Sequence, residues 1–409
     1  MNQNNKKKIL IFSTTYYPYV GGAEVAIKEI TDRIDDYEFD MVALKFDSAL
    51  PDYEMIGNVG VYRLGFSKNN PTANDLMSFP LKINKIIFPF LAWWKAGDLY
   101  AEKQYDAVWA MMASYAGFGA VFFKFSHPEV PYLLTLQEGD PIDYIKRKVR
   151  FVYPLFVKIF TKADVIQAIS NYLGFWAKDM GFEGKVEIVP NAVDTKHFSQ
   201  IYSESDLGEL KKKLDKKEGD KFMITTSRLV LKNAVDDVIK SLKYLPENIK
   251  FVVLGEGPDK EDLMSLAKTE GVENRVKFLG LVSHKEMPKY LRISDIFIRP
   301  ALSEGFGNSF VEAMACEIPV IATQEGGIAD FLFDAKRNPD KQATGWAVDK
   351  RSPEQIAETI KDILNSPENV KIVVATAKKM VFEKYDWNII ANDMKQKVFN
   401  NLLGNPVSK

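Results

Sequence analysis

The sequence predicts an α/β protein of two Rossmann-like domains facing a central cleft. Three observations carry this. Short apolar runs alternate with longer amphipathic ones, the alternation starts afresh beyond residue 220, and 409 residues suit two cores at roughly 100 to 200 residues each.

In the first series, residues 9–12, 41–44, 107–111, 132–136 and 165–169 read as strands separated by helical stretches, which means a parallel sheet with helices on both faces. The longest uncharged stretch, 107–123, is interrupted by Ser114, Gly117 and Gly119 and is shorter than the roughly 20 apolar residues of a spanning helix, so it reads as a buried strand followed by a buried helix. The second series comprises 222–226, 251–254, 276–278, 296–298 and 320–322. Between the two lies 203–221, rich in Lys, Glu and Asp and preceded by VPNAVDTKHF, where a hinge is expected. Near the end, Trp387, Ile390, Met394, Val398 and Leu402 recur every three or four residues, the spacing of an amphipathic helix that packs back on the first domain. The expected boundaries are therefore 1–200, 201–385 and a returning helix over 386–409.

Composition narrows the class. Lys plus Arg (54) nearly equals Asp plus Glu (55), so the net field gives no reason to expect nucleic acid as the partner. A single cysteine, Cys316, excludes an internal disulfide, fits a reducing compartment, and in an apolar helix reads as a buried inert thiol. His127, His197 and His284 are scattered along the chain and do not read as a metal site, while Ser283 with Glu286 reads as a capping box with His284 in a helix's first turn. The opening MNQNNKKKILIF has a basic flank but only four apolar residues, short of the roughly 7 to 15 of a signal peptide, so a cytoplasmic location is expected.

The most informative stretch is SDIFIRPALSEGFGNSFVEAMACEIPVIA, from Ser294, which reads strand, polar loop, glycine turn, helix, strand. In open parallel sheets ligands sit beyond the carboxyl ends of the strands, where a glycine turn lets a phosphate approach the amides that open the next helix. The turn Gly305, Phe306, Gly307 is placed for that approach, with Asn308 and Ser309 opening the helix. Glu304 in the loop and Glu312 in the helix flank one crevice. The first is placed to reach a sugar, and the second to accept hydrogen bonds from ribose hydroxyls. The alternative is a solvated loop carboxylate and a surface helix carboxylate.

A second constellation, TTSRLVLKNAVDDVIKSL, sets Arg228 and Lys232 in the loop after a strand. Two cations at the mouth of a sheet suit a diphosphate, each charge-assisted hydrogen bond being worth about 1.5 to 3 kcal/mol; otherwise they are exposed charges. The turn GEGP at Gly255 follows the next strand, but it lacks the third glycine of a dinucleotide fingerprint, and Pro258 suits the first turn of a helix. No GxxxxGK[ST] string occurs. In the first half, Gly21 and Gly22 follow the first strand and open a helix, either offering amides to an anion across the cleft or making a structural turn.

Taken together these segments resemble the family-4 retaining glycosyltransferases of the GT-B fold over nearly the whole chain. The family's E-x7-E element matches Glu304 and Glu312, its basic pair matches Arg228 and Lys232, and its double-glycine loop matches Gly21 and Gly22; VPNAVDTKHF, FLGLVSH and EGGIADF follow in family order. The resemblance implies a UDP-, GDP- or ADP-sugar as donor substrate, no further cofactor, retention of anomeric configuration and no divalent metal, and the sequence has no Asp-x-Asp. It implies that Glu304 stands by the donor sugar and that Glu312 holds the ribose. Arg228 and Lys232 would stabilise the departing diphosphate, with Gly21, Gly22, Gly255 and the turn 305–309 around the donor. On the acceptor side the candidates are Gln137, suited to hydrogen-bond a sugar hydroxyl, Glu138 or Asp140, suited to supply a carboxylate, and Asn191; the alternative is a plain turn before Pro141.

There are departures. TLQEGDP puts Gln137, which cannot titrate, where many members carry histidine, and Asn233 and Glu317 stand where glycine is usual. The expected acceptor is a lipid-linked glycan or envelope polysaccharide precursor. The basic, aromatic segment YIKRKVRFVYPLFVKIFTK and the run IIFPFLAWW suggest peripheral contact with anionic membrane, the alternative for the first being a helix packed on the domain core. Two other classes stay open: a nucleotide-sugar epimerase of the same double fold, and a noncatalytic sugar-nucleotide-binding protein.

Overall fold

The first apolar run forms β1 (Lys7–Phe12), whose Ile9 to Phe12 are wholly buried. Such complete burial on both faces of a strand follows from helices covering both sides of a parallel sheet. The computed structural model describes residues 6–76 and 78–404, so the reading of the first five residues and of 405–409 falls outside it. The chain divides into two units, residues 1–191 with 387–409, and residues 192–386.

Among the described residues the first unit holds an eight-stranded sheet: β1, β2 (Tyr37–Leu44), β3 (Tyr53–Ile56), β4 (Val59–Leu64), β5 (Ala107–Met111), β6 (Tyr132–Leu136), β7 (Val165–Ala168) and β8 (Val186–Ile188), in the order β3-β4-β2-β1-β5-β6-β7-β8. All neighbours are parallel except β3 and β4, which form an antiparallel hairpin across Gly57 and Asn58. This corrects the expectation of a purely parallel sheet. The two-residue Gly-Asn connection was its signal.

The second unit holds β9 (Lys221–Thr226), β10 (Ile249–Leu254), β11 (Val276–Gly280), β12 (Ile296–Arg299), β13 (Val320–Ala322) and β14 (Trp346–Ala347), parallel throughout in the order β11-β10-β9-β12-β13-β14. One apolar core joins Met223, Phe251, Val253 and Ile298 of the sheet to Val238, Ile239, Ile356 and Ile360 of its helices. In each sheet the strand order reverses once, between β1 and β5 and between β9 and β12. There the loops part to opposite faces and leave a crevice at the carboxyl ends.

The change of unit falls at 191/192 rather than 200/201, and 386/387 rather than 385/386. The charged stretch expected to hinge is instead a helix, Glu204–Lys213, capped by Ser203 Oγ, which accepts from the Asp206 amide at 3.1 Å. Lys216 Nζ, 2.7 Å from Asp295 Oδ2, then ties the following turn to the second unit.

The returning segment runs through helices Trp387–Asp393, Met394–Phe399 and Asn400–Gly404, the middle piece being a π-helix. Trp387, Ile390, Met394, Val398 and Leu402 are all buried. Phe399 meets Trp109 of β5 at 5.4 Å and Tyr37 and Phe39 of β2 at 5.6 and 6.1 Å, so the segment belongs to the core of the first unit.

Candidate active site

The second unit's crevice lies between the loops that follow β9 and β12. After β9 the chain carries Arg228, whose side chain is exposed, and Lys232 in the short helix Leu231–Asn233. Asn233 Nδ2 donates to the Arg228 carbonyl at 2.6 Å and closes this loop on itself. The buried amide, standing where glycine was anticipated, supplies shape to the loop. The Leu302 amide donates to the Lys232 carbonyl at 2.7 Å. One backbone bond therefore joins the basic loop to the loop that bears Glu304.

Glu304 is fixed at both carboxylate oxygens. Oε2 accepts from Arg299 Nη2 at 2.6 Å and Oε1 from the Gly305 amide at 3.0 Å. Its carbonyl accepts from the Gly327 amide at 3.0 Å. At Gly326, φ is 59° and an added Cβ would stand 2.1 Å from that same carbonyl oxygen, so only glycine fits. The EGGIADF segment thus supports the Glu304 loop from below.

Arg299 is the residue that sequence reasoning missed, though a cation ending an apolar strand was a visible signal. Its guanidinium lies over the Phe310 ring at 4.3 Å, and its Nε has no hydrogen-bond partner. Burial pushes it below the usual arginine range, while Glu304 and then Glu312 pull it back. The two carboxylates of E-x7-E therefore act on one buried cation.

Gly307, at φ 95°, caps the helix Asn308–Ala315, so Asn308 and Ser309 form its first turn. An added Cβ there would meet the Phe310 ring at 2.5 Å and Arg299 Nη2 at 2.9 Å. Phe306 is buried against Phe331 and Tyr385 at 5.1 and 5.5 Å and anchors the turn. Glu312 is mostly buried, and its Oε1 lies 3.5 Å from His284 Nε2. His284 stacks on His197 at 5.4 Å, and its carbonyl lies 2.9 Å from His197 Nε2. Two of the three scattered histidines are thus neighbours beside a site carboxylate, which long sequence separation concealed. His284 sits in a turn before the helix Met287–Arg292 rather than inside its first turn, although Ser283 Oγ does accept from the Glu286 amide at 3.3 Å. Among the described residues no three His, Cys, Asp or Glu side chains gather as a metal-holding group.

Gly255 stands at φ 142° in the turn after β10, and its amide donates to the Gly280 carbonyl at 2.8 Å. An added Cβ would stand 1.9 Å from the Ser227 carbonyl oxygen, and one on Gly257 2.1 Å from that of Leu229. These glycines let the turn after β10 pack under the basic loop. Pro258 precedes the helix Lys260–Thr269 by two residues instead of opening it. Cys316 is buried beside the Phe198 carbonyl, and burial pushes its thiol up to about 12.

In the first unit, Gly21 caps the helix Gly22–Thr31, and its amide is taken by Glu24 Oε2 at 2.7 Å, while Glu24 Oε1 also accepts from Thr15. The carboxylate of the helix's own first turn therefore takes the Gly21 amide. At the end of β6, Gln137 Oε1 accepts from Asn191 Nδ2 at 3.1 Å. Glu138 is buried and accepts from the Ala113 amide at 2.6 Å, tying the loop after β5 to that after β6. Burial pushes its carboxyl up to about 7 against the lowering effect of backbone amides at Ala113, Glu138 and Gln137. Asp140 is exposed.

Two family models match the chain, Glycosyltransferase Family 4 over residues 20–197 and Glycosyl transferases group 1 over 207–380. The chain belongs to the family-4, group 1 glycosyltransferases. An uncharacterized glycosyltransferase of Methanocaldococcus jannaschii is 24% identical over 92% of this chain and 94% of that protein. A GDP-mannose-dependent monoacylated alpha-(1-6)-phosphatidylinositol monomannoside mannosyltransferase of Corynebacterium glutamicum is 29% identical over 57% of this chain and 61% of that one. Among solved structures, HepE of Anabaena in complex with UDP and glucose superposes with a TM-score of 0.74 at 19% identity, covering 96% of this chain and 100% of that chain. The two α/β units are those of the GT-B fold. A putative teichuronic acid biosynthesis glycosyltransferase of Bacillus subtilis is 26% identical over 75% of this chain and 74% of that one.

Proposed function

We propose that this glycosyltransferase moves a sugar from a UDP-, GDP- or ADP-sugar to a hydroxyl of a lipid-linked glycan or envelope polysaccharide precursor, with retention and without a divalent metal. The second unit takes the donor and the first takes the acceptor. The observation that supports the reading is the Leu302–Lys232 backbone bond, which joins the loop of Arg228 and Lys232 to the loop that leads into the helix Asn308–Ala315. Two cations and a helix start, whose amides carry partial positive charge, make an anion site suited to a diphosphate.

In this reading Lys232 and Arg228 take up the charge that develops on the departing diphosphate, the kind of stabilisation that lowers the barrier because it grows as the bond breaks. Glu312 accepts from the ribose hydroxyls. Glu304, oriented by Arg299 and the Gly305 amide, faces the donor sugar. Gln137, Glu138, Asp140 and Asn191 border the acceptor; Gln137 cannot carry a proton, so it orients a hydroxyl by hydrogen bonding. Departure and attack on one face of the sugar then rest on positioning and electrostatics.

A cytoplasmic enzyme that rests on the inner face of a membrane accords with the acceptor class, and among the described residues no helix is long and apolar enough to cross a bilayer. A thermal-shift panel of UDP-, GDP- and ADP-sugars tests the donor class: one set raises Tm if the reading holds, and none does if it fails. Transfer that persists in EDTA, with product of the donor's anomeric configuration by NMR, supports the rest; loss of transfer in EDTA or an inverted product refutes it.

A further inference from the structure

We propose that the outer face of the helix Leu81–Lys103 is the surface by which this glycosyltransferase sits on an anionic lipid bilayer. The inference rests on the reading of a membrane-held acceptor but uses a part of the first unit that holds none of the donor residues.

This helix is apolar on two sides. Leu81, Phe88, Ala92, Ala96 and Leu99 are buried against the rest of the unit. Opposite them, Ile86, Phe90 and Trp94 are exposed at 60%, 58% and 63%, with Trp93 beside them. Ile86, Phe90 and Trp94 are spaced four residues apart, with Trp93 three from Phe90, so these side chains share one stripe. The patch continues onto the neighbouring helix Tyr115–Ser126. Phe90 stacks on Phe122 at 5.3 Å, Trp93 Nε1 donates to Ser126 Oγ at 2.7 Å, and Phe125 is exposed next to them. A helix that only needed to fold would keep such a face polar, and contiguous exposed apolar patches of this kind mark interaction surfaces.

The charge pattern selects the occupant. Residues 81–97 carry Lys82, Lys85 and Lys95 and no Asp or Glu. Lys82 and Lys85 are exposed at the start of the stripe, while Lys95 turns inward over the Tyr62 ring at 5.4 Å. Tryptophans settle at the headgroup level of a bilayer, and lysine stems lie along apolar surface with the ammonium among anionic phosphates. A helix face that sets aromatics beside two exposed lysines, with its first acid, Asp98, one turn beyond Trp94, fits a lipid surface, whereas a protein rim commonly carries both signs of charge throughout. The basic stretch anticipated over 144–162 divides: its helix Tyr153–Thr161 turns Phe156, Ile159 and Phe160 into the core, while the preceding turns expose Tyr144 and Phe151 beside Arg147, Lys148 and Arg150 and suit the same lipid contact.

The test is flotation of the full chain with vesicles of phosphatidylcholine, with and without phosphatidylglycerol, at low salt. Wild type should float with the anionic vesicles and show a blue shift of tryptophan emission. The triple variant Ile86→Ser, Phe90→Ser, Trp94→Ser should lose at least tenfold in vesicle affinity, with its Tm and its Tm response to sugar nucleotide unchanged, and Lys82→Glu with Lys85→Glu should lose binding to the anionic vesicles alone. The unchanged donor response separates failure of this surface from failure of the donor assignment. No flotation of wild type, equal flotation of the triple variant, or a dimer in sedimentation that the triple variant dissolves would each overturn the proposal.

Discussion

Arg299 Nη2 and Glu304 Oε2 stand 2.6 Å apart at the carboxyl end of β12, with the Arg299 side chain almost wholly buried. The pair explains how a loop carboxylate beside the proposed donor site keeps one orientation: the buried cation neutralises it and the Gly305 amide holds its other oxygen.

Arg299→Met should cost about 3 to 5 kcal/mol, because removing one partner of a buried pair leaves the other uncompensated. Glu304→Gln should be costly in the same way, and the double variant should be less destabilised than the two single losses summed. Chemical denaturation of the four proteins measures this. Additive losses would show that the contact carries no coupling.

Glu312→Gln should weaken donor binding more than tenfold, and Lys232→Ala should lower kcat more than tenfold with a smaller change in donor affinity. One charge-assisted hydrogen bond is worth about 1.5 to 3 kcal/mol, and about 1.4 kcal/mol is already tenfold. Titration calorimetry and steady-state kinetics separate the two effects.

Gly326→Ala should disturb the Glu304 loop although residue 326 lies outside the E-x7-E element. The added methyl collides with the Glu304 carbonyl at a backbone angle that alanine tolerates poorly. A lower Tm together with weaker donor binding is expected. Unchanged values for both would mean that this loop is not held from below.

Glu138 makes stability depend on pH. Its native carboxyl is raised to about 7 from an ordinary value of 4.5, so between those values the native state holds a proton that the unfolded chain has lost, and stability falls as pH rises through this window. The loss is complete above about pH 7 and is on the order of 3 kcal/mol. Glu138→Gln removes the titration, so the variant should gain stability relative to wild type between pH 5 and 8. Parallel stability curves for the two proteins would contradict this.

Much of the fold was legible because buried parallel strands are short apolar runs, and β5, β6 and β13 appear at the expected residues. The edge hairpin β3–β4 was less so: β3 is exposed or half-buried along its length, and β4 mixes Gly60 and Arg63 with its apolar residues, which weakens the apolar signal. In the site, the glycine turn and both carboxylates stood out because they are close in sequence. Arg299, Gly326 and the His197–His284 stack did not, because their roles arise from contacts that only the folded chain creates. Glu317 shows the limit from the other side: it sits at φ 59°, where the family's glycine is comfortable, and ion pairs to Lys378 at 2.7 Å and Arg292 at 3.6 Å accompany it.

The most direct test of the donor site is a crystal structure of the enzyme soaked with the sugar nucleotide that raises its Tm. The account predicts the diphosphate within hydrogen-bonding distance of Arg228, Lys232 and the amides at 307–309, with Glu312 on the ribose. A nucleotide bound away from these groups, or a crevice closed to it by protein atoms, would contradict the account.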